Sequence, residues 1–135
     1  MRLDVSPHAT LADAQAAAEA RIDEAAGRAR ARYITVTPGQ EATYVEKGRQ
    51  AEAYRAAGYP ADLTSYPWIQ AEVNATGKTP QQAADDILAQ RDQWIALGAQ
   101  IEELRIKGKS DIRSATTKAQ VRQLADQAVA ALDAI

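Results

Sequence analysis

Gly108-Lys109-Ser110 has the residue order that closes a phosphate-binding loop. In that motif backbone N–H groups cradle the phosphates and the lysine meets their charge. It needs an earlier glycine five positions upstream and a preceding strand. Glu103 stands where that glycine belongs, and the surrounding residues read as helix. Nucleotide binding is not expected. The sole histidine, His8, has no second His and no Cys to share a metal with, so a nitrogen or sulfur metal site is not expected either. Three carboxylate pairs, Asp23-Glu24, Asp85-Asp86 and Glu102-Glu103, are sequence neighbours. Neighbours on a helix point apart, so these pairs read as solvated charge rather than as acid–base couples. Glu24 with Arg28 and Glu103 with Lys107 have the i,i+4 spacing of helical ion pairs. No catalytic residues, cofactor or metal are assigned, and a non-enzymatic chain is expected.

Two further groups concern binding. Arg21, Arg28, Arg30 and Arg32 make a basic cluster, interrupted by Asp23 and Glu24. It reads as a charged helix face that could dock an acidic partner. Tyr59, Tyr66 and Trp68 fall close together in "GYPADLTSYPWIQ". Such a loop either forms a small core that fixes the angle between helices or exposes aromatic anchors to a partner. Asn74-Ala75-Thr76 matches a glycosylation sequon, but nothing indicates a secretory route.

The elements that must carry these residues are helices. The 135 residues include no Phe, one Met, two Trp and five Tyr, and alanine supplies much of the apolar content. Alanine is the best helix former but buries little area, which predicts extended helices in a small bundle or hairpin, with coiled-coil self-association as one way to complete a core. Sixteen basic and 18 acidic residues are interspersed, for a net charge of −2. That balance lacks the basic face nucleic acid requires. No apolar run reaches membrane-spanning length, and "MRLDVSPHAT" has no apolar core of a signal peptide. Neither nucleic acid nor membrane is an expected partner, and synthesis in the cytoplasm is expected.

Helix punctuation is clear. Thr37-Pro38-Gly39-Gln40 and Thr79-Pro80-Gln81-Gln82 follow the capping-box pattern, with proline in the first turn. Gly58 and Gly77 suit helix C-termini. Ser6-Pro7, or Thr10 with Asp13, opens the first helix. The expected helices run from Pro7 or Leu11 to Arg32, then over about 38–57, 67–76, 80–107 and 117–134, with a break in "KGKSDIRSATT". "YITV" before Pro38 reads as an extended linker at 33–37, or at most one strand paired with Arg2–Val5. Ile87, Trp94, Leu97, Ile101 and Leu104 define one face of the fourth helix, and Val121, Leu124, Ala128, Ala131 and Ile135 one face of the last. The first helix has a thin seam of Leu11, Ala18, Ile22, Ala25 and Ala29, open to closure within the chain or by another copy. The expected division is an N-terminal arm and attachment or oligomerisation helix over 1–32, then a helical module over 33–135.

From about residue 33 to 115 the chain resembles a family of small helical proteins encoded among bacteriophage tail and tail-fibre genes. The likeness rests on the order "YITVTPGQEATYVEKGRQAEAY", then "DLTSYPWIQAEVNATGKT", then "AADDILAQRDQWIALGAQIEELRIKGKSDI". The resemblance implies a structural protein of the virion, an adaptor near the tail fibre or baseplate, with other tail proteins or further copies of itself as partners. Its alternatives are a tail-fibre assembly chaperone absent from the mature particle, and a small helical phage regulatory or binding protein. It supplies no catalytic set. The residues proposed for partner binding are Leu11, Ile22, Tyr59, Tyr66, Trp68 and Trp94.

Overall fold

The computed structural model describes residues 10–33 and 40–135. Among them are five helices and no strands: α1 (Leu11–Tyr33), α2 (Gln40–Ala56), α3 (Pro67–Thr76), α4 (Pro80–Ser114) and α5 (Lys118–Asp133). The fold is all-α. His8, Ser6-Pro7, Arg2–Val5, Thr37-Pro38-Gly39 and all of the expected linker except Tyr33 lie outside the described residues. Tyr33 itself is the last residue of α1.

Local chemistry sets most helix ends. The Thr10 hydroxyl accepts the Asp13 backbone N–H at 3.1 Å. At α4 the capping box closes both ways: Gln82 N–H donates to Thr79 Oγ1 at 3.2 Å, and Thr79 N–H to Gln82 Oε1 at 3.1 Å. Thr117 caps α5 by accepting Gln120 N–H at 3.1 Å. α2 ends in a Schellman turn. Gly58 there has φ +82°, Gly58 N–H donates to Arg55 O at 3.0 Å, and Tyr59 N–H donates to Tyr54 O at 3.1 Å. α3 ends where Gly77, at φ +72°, donates to Val73 O.

α4 runs seven residues beyond its expected end. Gly108 does not break it: a Cβ there would lie 3.0 Å from Ala128 Cβ and 3.2 Å from Ile22 Cδ1. The missing side chain allows α1 and α5 to pack closely against α4. That packing outweighs the cost of about 1 kcal/mol for a helical glycine. The break falls at 115–117, at the far end of the stretch where it was expected.

The described residues belong to two compact units, Met1–Ile34 with Leu97–Ile135, and Thr35–Ala96. α1, read from the sequence as an attachment or oligomerisation helix whose seam closes within the chain or by another copy, packs in the first unit with α5 and the second part of α4. Ala14, Ala18, Ile22, Ala25, Ala26 and Ala29 are buried there with Ile101, Ile112, Val121, Ala125 and Leu132. The thin seam of α1 therefore closes within its own chain. Leu124, Ala128 and Ile135 pack against the same core.

Ion pairs set the register in this unit. Arg21–Asp126 (2.9 Å) and Arg28–Asp133 (3.3 Å) hold α1 and α5 parallel. Arg113–Glu19 (2.8 Å), Lys109–Asp23 (2.9 Å) and Arg30–Glu102 (3.0 Å) hold α1 antiparallel to α4. Such exposed pairs contribute about 0.2–1 kcal/mol each. Burying an Ile or Leu contributes roughly 1.5–3 kcal/mol. Ile22, Ile101, Ile112 and Leu132 thus supply most of the stability, and the charges choose the alignment. Two helix ends are capped across helices. Gln15 Nε2 donates to Ile112 O at 3.1 Å at the end of α4, and Arg32 Nη2 donates to Leu132 O at 2.7 Å at the end of α5.

The second unit contains α2, α3 and the first part of α4. Its core is Ala51, Tyr54, Ile69, Ala84, Ile87 and Leu88, with Tyr59, Leu63, Tyr66 and Val73 packed against it. Arg91–Glu52 (2.9 Å) and Arg55–Asp85 (3.0 Å) set α2 antiparallel to α4. Gln50 of α2 caps α3 from outside, accepting the backbone N–H of Trp68 and, at 3.2 Å, of Ile69.

Candidate partner-binding surface

The six residues proposed for partner binding separate into core and surface. Ile22 is fully buried in the first unit, and Leu11 packs against the same core. Neither is free for a partner, because alanine on the facing helices lets α1 bury its few large side chains within the chain. Tyr59 and Tyr66 meet Tyr54 edge to face, with ring centroids 5.7 and 4.9 Å away. The aromatic loop is therefore a small core around Tyr54, whose hydroxyl donates to Pro60 O at 2.7 Å. Burial raises the Tyr54 pKa. Trp68 is half-buried at the start of α3. Trp94 is exposed, at 36 % of its surface.

Trp94 was expected on the apolar seam of α4. That seam serves two cores, Ile87 and Leu88 in one unit and Ile101 in the other. Between them Asp92–Ala96 are all exposed. Ile95 beside Trp94 is 54 % exposed, and in α2 Tyr44 and Val45 are 44 % and 55 % exposed. Arg91 reaches Glu52, and a Cβ on Gly48 would lie 2.9 Å from Arg91 Cδ. Tyr44, Val45, Trp94 and Ile95 are the large apolar side chains left exposed among the described residues of the second unit. Sequence reasoning missed three of them. The signal lay in Tyr44-Val45 and Trp94-Ile95 as adjacent apolar pairs, since two neighbours cannot both face one core.

Most charged groups of the first unit are engaged within the chain. Arg21 and Arg28 pair with α5, Arg30 pairs with Glu102, and Arg32 donates to the Leu132 and Ile135 carbonyls. This arginine row, read as a charged helix face that could dock an acidic partner, joins helices. Arg28 and Lys107 also choose other partners than Glu24 and Glu103: Arg28 turns to Asp133, and Lys107 to Asp111. In the loop-like Gly108-Lys109-Ser110, Gly108 is a packing contact and Lys109 holds Asp23.

The perturbed carboxylates follow from these contacts. Lys109 holds the Asp23 pKa down against the effect of burial, with Arg105 adding to it. Arg105 lowers Glu102, and its own pKa is raised by Glu102 and Asp23. Arg55, then the Tyr59 hydroxyl at 2.9 Å, lowers Asp85. The Thr64 hydroxyl and N–H lower Asp62. A depressed carboxylate is a weaker base than an ordinary one. These contacts fix charge and alignment.

Asn74 of the sequon accepts Gln70 Nε2 at 2.8 Å near the end of α3. Among the described residues no three His, Cys, Asp or Glu side chains come together as a metal site, and no helix is long and apolar enough to cross a membrane. Compared with family models, with curated proteins and with solved structures, the chain matches none.

Proposed function

We propose that this protein is a non-enzymatic structural component of a bacteriophage tail, an adaptor bound near the tail fibre or baseplate. The observation that carries the reading is the resemblance over about residues 33–115, from "YITVTPGQEATY" through the Ser65-Tyr66-Pro67 step to Gly108. An all-α chain with exposed Tyr44, Val45, Trp94 and Ile95 suits that role, because exposed aromatic and aliphatic side chains are what binding hot spots draw on. In this reading the face binds another tail protein, and the chain resides in the virion.

Mass spectrometry of purified virions tests the proposal. A structural component is present in many copies per particle. Its absence from the particle, together with a fibre-assembly defect when the gene is deleted, would favour the chaperone instead. Absence without such a defect would remove both.

A further inference from the structure

Gly98 is the glycine of α4 that packing does not explain. A Cβ on Gly108 would press on α1 and α5, whereas nothing lies within 4 Å of one on Gly98. Its surroundings are bare along the helix as well as across it. From Ala89 to Gln100, about three turns, no residue of α4 is buried. Leu88 enters the core on one side of this stretch and Ile101 the core on the other. Trp94 and Ile95 stay out of both, at 36 % and 54 % exposure. Among the described residues, the ion pairs from α4 to another helix stop at Arg91–Glu52 and resume at Glu102–Arg30. The two compact units divide between Ala96 and Leu97, with Gly98 just past the division.

Most helical stability in proteins comes from packing, and an unpacked run of this length is marginal by itself in water. Ala89, Ala96 and Ala99 favour the helix there, while Gly98 makes it about fivefold less favoured than an alanine would. The balance keeps the stretch helical and leaves its opening cheap. Breaking α4 here exposes no core side chain, whereas breaking it near Gly108 would uncover Ile22 and Ile112. We propose that α4 is jointed: its middle, around Asp92–Gln100, opens and re-forms as a minor state while both cores stay folded. The joint is a conformational device of the helix itself. It lets one unit lose structure without taking the other with it. The inference goes beyond the tail assignment and does not depend on it.

Hydrogen exchange of the full ¹⁵N-labelled chain, read amide by amide and corrected for intrinsic rates, tests it. The amides of Ile95–Gln100 are expected to exchange about tenfold or more faster than those of Ile87, Leu88 and Ile112. Low urea should leave their rates unchanged, because a local opening exposes little new surface. Gly98→Ala, at an exposed site with room for the added methyl, should slow them about fivefold. Gly27→Ala separates local from global opening. It should slow core amides of the first unit about two- to fivefold and leave Ile95–Gln100 as they were. Equal protection along α4 would overturn the proposal, as would urea dependence matching that of the core amides. Slowing of Ile95–Gln100 by Gly27→Ala would overturn it too, since the stretch would then open only with a core. Rates unaltered by Gly98→Ala would do the same.

Discussion

Gly108 of α4 lies directly beneath Ile22 of α1: a Cβ on the glycine would come within 3.2 Å of Ile22 Cδ1, and within 3.0 Å of Ala128 Cβ on α5. Three helices meet at one absent side chain. Gly108→Ala gains about 1 kcal/mol of helix propensity, but overpacking a close contact costs about 1–3 kcal/mol. The neighbour at 3.0 Å is a short alanine that cannot swing away. Net destabilisation is expected, larger for Gly108→Val. At Gly27 of α1 nothing lies within 4 Å of the same added atom, so Gly27→Ala should stabilise by roughly 0.5–1 kcal/mol. Urea unfolding of both variants, followed by circular dichroism, checks the opposite signs.

Ile22→Ala removes the largest side chain α1 buries. A loss of about 2–5 kcal/mol is expected. Because the seam closes within the chain, the thermal midpoint of this variant and of the wild type should not depend on protein concentration. A midpoint rising with concentration would show that α1 is completed by another copy.

Asp23 links α1 to Lys109 and Arg105 of α4. Its pKa is lowered in the folded chain, chiefly by Lys109. A lowered carboxylate contributes stability above its unfolded pKa, about 3.9, and loses it as pH falls through the folded value. Asp23→Asn should therefore cost roughly 1 kcal/mol or less at pH 7, as an exposed pair does. The difference from wild type should shrink below about pH 4. Urea midpoints of the two chains at neutral and acid pH check the sign.

Trp68 and Trp94 both belong to the second unit, so tryptophan fluorescence reports on that unit while circular dichroism reports on all helices. Gln50→Ala removes the cap of α3 and should cost about 1 kcal/mol. The fluorescence transition should move with it. Gln15→Ala, which uncaps the end of α4 in the first unit, should shift the dichroism and leave the fluorescence midpoint in place.

The legible part of this fold was local. Thr79 and Gln82 close a capping box because both partners sit within one turn, and Gly58 and Gly77 end helices through their own backbone angles. Helix α3 falls where Pro67 and Gly77 bracket it. What sequence reasoning could not reach depends on partners far along the chain. Periodicity marks the apolar face of α4 but not that Ile87 and Ile101 enter different cores. Composition marks the arginines of α1 but not Asp126, Asp133 and Glu102 waiting across from them. Gln15, Gln50 and Arg32 look like ordinary polar helix residues until another helix end arrives beside them. The exposed pair Trp94-Ile95 was half seen, because Trp94 shares a seam spacing with residues that are buried.

The most direct test of the proposed role is hydroxyl-radical footprinting of the protein in purified virions against the free chain. The account predicts that the chain is present in the particle and that Tyr44 and Trp94 are oxidised several-fold less there than in solution, while exposed tyrosine outside the face, such as Tyr33, changes little. Absence of the chain from the particle would contradict the tail assignment, and equal oxidation of Tyr44 and Trp94 in both states would contradict the assigned face.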